Sequence, residues 1–124
     1  MKILVVEDDA PLAMLVANAL TRAGCDVLVA SSGEKGMESA QEAKLDLIVL
    51  DTNLPDRSGF DIACELKQRH LTRNIPIVFI SAPVTIEDRR RVMELGAADL
   101  IEKPFGEEFT RRLLSHVKRT ETVA

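Results

Sequence analysis

Glu7, Asp8 and Asp9 follow directly on the apolar run Ile3 to Val6, and Asp51, Thr52 and Asn53 follow the run Leu47 to Leu50. Ser81 and Ala82 follow Ile77 to Ile80, and Lys103-Pro104 come just after a weaker run around Leu100 and Ile101. Unbroken apolar runs of this length fit strands covered on both faces. In open parallel sheets the functional crevice lies beyond the carboxyl ends of such strands. Carboxylates crowded there repel one another and bind protons more tightly unless a cation neutralises them. Mg²⁺ suits the set, because it takes oxygen ligands, one or two carboxylates among them, and keeps several waters for exchange with a phosphate oxygen. Zinc suits it less, since neither His70 nor His116 lies near these stretches. A carboxylate beside such an ion can act as a nucleophile toward phosphorus to give an aspartyl phosphate, with the metal and a lysine offsetting the developing charge.

Each of these residues has an ordinary reading on its own. Acids after strands often only cap helices, and a serine there often only satisfies backbone groups. The set is harder to dismiss, because acids, a hydroxyl and a lysine occupy the same place relative to four different runs. Asp9 reads better as a helix cap than as a ligand, and Asp56 and Asp61 read as turn and first-turn residues.

The elements that would position these groups are legible as alternating patterns. Between the apolar runs, which include Val27 to Ala30, lie segments with helical spacing. The clearest places Leu12, Leu15, Val16, Ala19, Leu20 and Ala23 on one stripe, with Asp9 as cap, Pro11 in the first turn and Gly24 at the end. Ser31 before Glu34, Ser58, and Thr85 before Asp88 mark further helix starts, and Phe109, Leu113 and Val117 mark a last helix. Five strands alternating with five helices imply right-handed crossovers and a doubly wound α/β domain with a parallel sheet.

The chain has 124 residues, 46% hydrophobic and 29% charged, a size that suits one domain, over residues 1–119, with 120–124 as a tail or the start of a linker. A net charge of −4 gives no basic footprint for direct nucleic-acid binding. No stretch has the length of a membrane span and no signal peptide is evident, so a cytoplasmic location is expected. Cys25 and Cys64 are expected to be buried thiols.

The segments VVEDD at 5–9, DTNLPDRSG at 51–59, ISA at 80–82 and EKPF at 102–105 resemble, in order and over nearly the whole chain, the response-regulator receiver domains of two-component signalling. The resemblance implies a flavodoxin-like fold with a five-stranded sheet in the order 2-1-3-4-5. It implies that Asp51 accepts a phosphoryl group from a histidine kinase or phosphotransfer protein. Asp8 would ligate Mg²⁺ directly, Glu7 through water, and Asn53 by its backbone carbonyl, with Asp51 completing the protein ligands. Ser81 and the Ala82 amide would bind phosphoryl oxygens on activation, and Lys103 would pair with the phosphoryl group. Lys103-Pro104 is a candidate cis bond.

Two positions depart from the family pattern. Leu100, three before Lys103, stands where an aromatic that turns inward on activation is usual, and leucine lacks the aromatic's area. Pro83, two after Ser81, stands at a variable position that influences phosphate loss, and proline there stiffens the loop to Ile86. Output would pass to a downstream protein or to an output domain outside this sequence, and an activation-dependent dimer remains open. Receivers often use a face that here would carry Arg89, Arg90, Arg91, Glu94, Glu102, Arg111, Arg112 and Lys118, although the same pattern suits a solvated helix face. The resemblance implies no turnover of an external substrate. The rival readings are an Asp-nucleophile phosphohydrolase of the haloacid dehalogenase type, a nucleotide or flavin module, and a degenerate receiver that signals without phosphate. The first wants a second Asp where Asn53 stands, and the second wants a Gly-rich loop that does not follow the first apolar run.

Overall fold

A computed structural model describes residues 1–117. Strands β1 (Lys2–Val6), β2 (Asp26–Ala30), β3 (Leu47–Asp51), β4 (Ile77–Ser81) and β5 (Asp99–Glu102) form one parallel sheet in the order β2-β1-β3-β4-β5. Helices α1 (Ala10–Arg22), α2 (Gly33–Glu42), α3 (Gly59–Gln68), α4 (Ile86–Leu95) and α5 (Phe109–Leu114) make the connections. This is the flavodoxin-like doubly wound fold. Alternate strand residues feed two cores. Ile3, Val5, Val49, Val78 and Ile80 pack with Val16 and Leu20 of α1 and with Phe109 and Leu113 of α5. Leu4, Val6, Leu50 and Phe79 pack with Met37 of α2, Phe60 and Ile62 of α3 and Val92 of α4.

Register sets the height of the polar residues. Val6 pairs with Leu50, Asp51 with Ile80 and Ser81 with Glu102, so the residues that follow β1, β3 and β4 emerge at one edge of the sheet. The strands end there because the apolar run ends and helix-capping residues begin. Asp9 accepts from Leu12 N at 3.2 Å, and Thr85 and Asp88 form a reciprocal capping box on α4. Gly24, at φ +92°, and Gly96, at φ +69°, take the left-handed turns that end α1 and α4.

Five expectations need correction. The cap of α2 is Ser32, whose Oγ accepts from Lys35 N at 3.2 Å, and not Ser31. Ser32 carries the extended backbone of the cap, at φ −149° and ψ 165°. On α1 the buried stripe is Ala13, Val16 and Leu20, while Leu15 is 58% exposed beside a groove between α1 and α5. Cys25 is buried but Cys64 is exposed, since Ala63 takes the inward position on α3 and Cys64 turns to the side of Gln68. β2 is an edge strand with Val29 in solvent, so an apolar run did not guarantee cover on both faces. The last helix ends at Leu114, with Val117 buried beyond it. Lys118 and the expected tail at 120–124 lie outside the described residues.

Candidate functional site

Asp51 closes β3, the middle strand, and is only 5% exposed. Its Oδ1 accepts from Asn53 N at 2.9 Å and its Oδ2 accepts from Lys103 Nζ at 3.0 Å. Glu7, one residue past β1, is 1% exposed and takes a second bond from the same ammonium, at 2.8 Å to Oε1, while its Oε2 accepts from Asp9 N at 3.1 Å. Lys103 thus bridges two carboxylates from two neighbouring strands. Burial first, then a hydrogen bond shared with Asp51, raise the Glu7 carboxyl to about 7, against the lowering pull of Lys103 and of Asp9 N. For Lys103 burial favours the neutral amine, but the bonds and charges of Glu7 and Asp51 outweigh it and hold the ammonium above its usual pKa.

Glu7, Asp8 and Asp51 each offer a carboxylate oxygen, and these lie within 4.8 Å of one another. Asp8 is exposed and the other two are buried, so the trio opens to solvent on one side. An all-oxygen donor set with net negative charge, open to solvent at Asp8, fits a hard divalent cation. The described residues therefore fit a metal of the Mg²⁺ class.

The neighbouring strand end supplies the hydroxyl. Ser81, at the end of β4, is 3% exposed, and its Oγ accepts from Thr52 Oγ1 at 2.9 Å and donates toward Pro83 O at 3.5 Å. Ala82 follows in an exposed loop. Both Ala82-Pro83 and Lys103-Pro104 are cis. Asn53 is exposed and forms an isolated antiparallel bridge with Ser58, whose side chain caps α3. Leu100 is 7% exposed and belongs to the core that holds Phe60, Phe79 and Val92.

Two residues near the site, Thr52 and Gly59, had no role assigned from sequence, and a third, Asp56, was expected only to shape a turn. Thr52 pairs with Ser81. Gly59 lies against the backbone of the acidic residue itself, where a Cβ would stand 2.0 Å from Asp51 O. Its N–H donates to Thr52 O at 2.8 Å. Asp56 does more than shape a turn, because its carboxylate accepts from Gly33 N at 2.8 Å and Glu34 N at 2.9 Å and so caps α2 from the β3–α3 loop. Those two bonds hold the Asp56 carboxyl below its usual pKa. The signal for Gly59 was present in the Ser58-Gly59 pair after a strand, whereas the Asp56 contact spans 23 residues and carries no local mark.

The family model of the response regulator receiver domain matches residues 3–117. The chain belongs to the response regulator receiver family. As a receiver of two-component systems it has many similar proteins. It is 38% identical over 124 residues to the alkaline phosphatase synthesis transcriptional regulatory protein PhoP of Bacillus subtilis (strain 168), covering 99% of this chain and 51% of that protein. The phosphate regulon transcriptional regulatory protein PhoB of Pseudomonas aeruginosa is 38% identical over 119 residues, which cover 95% of this chain and 52% of PhoB. The chain spans about half the length of these relatives. Among solved structures, the non-phosphorylated HemR receiver domain of Leptospira biflexa superposes with a TM-score of 0.88 at 33% identity, covering 99% of this chain and 98% of that one. The chemotaxis protein CheY4 of Vibrio cholerae gives 0.87 at 28% identity, with 94% and 97% covered. Among the described residues of this receiver, no helix is long and apolar enough to cross a membrane.

Proposed function

We propose that this receiver accepts a phosphoryl group on Asp51 from a histidine kinase or phosphotransfer protein, with Mg²⁺ bound at Glu7, Asp8, Asp51 and the Asn53 carbonyl. The single observation that carries the reading is the Asp51 carboxylate, buried at the end of the middle strand, bonded to Lys103 and within 4.8 Å of two further carboxylates. In the transfer, a carboxylate oxygen of Asp51 bonds to phosphorus as the phosphorus–nitrogen bond of phosphohistidine breaks, and the leaving imidazole takes a proton. Asp8 and Asp51 would hold the metal directly, with Glu7 bonding one of its waters. When bound, the ion supplies charge neutralisation and a fixed phosphoryl orientation. Lys103 then pairs with the phosphoryl oxygens, the Ala82 N–H donates to one of them, and Ser81 donates to another once its side chain has turned.

The activity ascribed here is self-modification, without turnover of an external substrate. Phosphorylation then changes contacts with a downstream protein or with an output domain outside this sequence. The names of the PhoP and PhoB relatives suggest transcriptional control as the class of output. Nothing in this chain's charge favours direct nucleic-acid contact by the receiver itself.

The test is incubation with Mg²⁺ and acetyl phosphate, followed by intact-mass measurement. A labile adduct of one phosphoryl group is expected on the wild type, none on Asp51→Asn, and none after chelation of the metal. An adduct that persists in Asp51→Asn sinks the assignment.

A further inference from the structure

Thr52 stands between two residues of the proposed site and has no part in the chemistry described above. Its hydroxyl is nonetheless buried, at 4% residue exposure, and its Oγ1 donates to Ser81 Oγ at 2.9 Å. The other contact of Ser81 Oγ, toward Pro83 O, is long at 3.5 Å and correspondingly weak. Thr52 is therefore the main partner of the hydroxyl that must reach the phosphoryl group.

We propose that Thr52 is a positioning residue, a latch that holds Ser81 in its resting orientation until phosphorylation of Asp51 draws that hydroxyl away. The proposal rests on the reading of Asp51 as phosphoacceptor. When Ser81 turns, it gives up a buried bond, and the Thr52 hydroxyl loses its acceptor where water reaches poorly. An unmet buried hydroxyl opposes that turn. The backbone on both sides is tied down, which leaves the side chain as the moving part. Thr52 N donates to Ile80 O at 3.1 Å, Gly59 N donates to Thr52 O at 2.8 Å, and Val84 N donates to the Glu102 carboxylate at 3.1 Å. The latch sets the balance between resting and activated receiver without touching the reacting atoms.

The probe is fluoroberyllate with Mg²⁺, titrated into the isotope-labelled 124-residue chain and followed by amide chemical shifts. Thr52→Val keeps the branched shape without the hydroxyl, and the titration midpoint is expected to fall about tenfold, the value of one modest buried hydrogen bond. Thr52→Ser keeps the hydroxyl and restores the wild-type midpoint. In a Ser81→Ala background, Thr52→Val leaves the midpoint where Ser81→Ala put it. Thr52→Ala, which also lacks the hydroxyl, replaces Thr52→Val if thermal unfolding shows that the valine packs badly. A midpoint unchanged or raised in the hydroxyl-less variant, or a shift that survives in Ser81→Ala, overturns the latch. If fluoroberyllate fails to bind the wild type at all, the phosphoacceptor reading falls first and the latch with it.

Discussion

Lys103 bonds Glu7 at 2.8 Å and Asp51 at 3.0 Å, so one ammonium balances two buried acids. Replacing it with methionine keeps the aliphatic stem and removes the charge. The variant is expected to take a phosphoryl group from acetyl phosphate roughly 10²-fold more slowly, because a positioned charge that meets developing phosphoryl charge contributes on that scale. The rate of adduct growth by intact mass checks this, and an unchanged rate would remove Lys103 from the chemistry. That Asp51 and Lys103 belong together was legible in the sequence, since each stands just after an apolar run and register brings the ends of such runs to one edge. The Thr52–Ser81 bond was less legible. It depends on β3 and β4 being adjacent and on which way the first residue past β3 turns, and neither is a local property of the chain.

Two elements frame the site, the start of α3 and the loop from β4 to α4. Gly59 opens α3 against the carbonyl of Asp51, and Gly59→Ala would drive a methyl group into backbone that cannot yield as a side-chain tip does. A loss of about 1–3 kcal/mol in urea unfolding is expected, on the scale of overpacking in a dense interior, together with slower phosphorylation of Asp51. Full stability in the alanine variant would show that α3 can slide away from β3. The β4–α4 loop is held at several points. Pro83 restricts its φ, Val84 N bonds Glu102, and Thr85 and Asp88 cap α4. A loop so anchored is expected to shift less on activation than in a receiver with an aromatic at the position of Leu100. Fluoroberyllate binding should then perturb the amides of Ser81 and Ala82 strongly and those of Val84 to Ile86 weakly. Large changes from Val84 to Ile86 would refute the expectation. That Pro83 restricts its own φ was readable from sequence. The Val84–Glu102 bond, spanning 18 residues, was not, and neither was the choice of Ser32 over Ser31 as cap.

Across the whole molecule the apolar runs and helical stripes made the doubly wound fold readable, while the edges of the sheet did not announce themselves. Val29 faces solvent in a run as apolar as those of the buried strands, because position in the sheet decides cover. The opposite edge strand, β5, is fastened to α5 by a cluster no motif marks. Asp99 accepts from Arg112 Nε and a second guanidinium nitrogen, both at 2.7 Å, and lies 2.9 Å from His116 Nε2. These pairs occupy Arg112 at the surface, and Arg90 is occupied by Glu87 and Glu94, so part of the charge on the α4–β5–α5 face is paired within the molecule. Burial alone would raise the Asp99 carboxyl, but the bonds from Arg112, His116 and Leu100 N outweigh it and hold the pKa at about 2, below the ordinary 3.8. A carboxyl depressed in the folded state stabilises the fold above the unfolded pKa and loses that contribution as pH falls toward the folded one. The window here runs from about pH 4 down to about pH 2. The shift sets an upper bound of about 2 kcal/mol, and because the Arg112 side chain is 49% exposed, solvent screening lowers the expected contribution to about 1 kcal/mol. Urea unfolding of wild type and Asp99→Asn should therefore differ by about 1 kcal/mol at pH 6 and converge by pH 2. A difference that stays constant across that range would assign the effect to packing or neutral hydrogen bonds, and the charge of Asp99 would then not be what fastens β5 to α5.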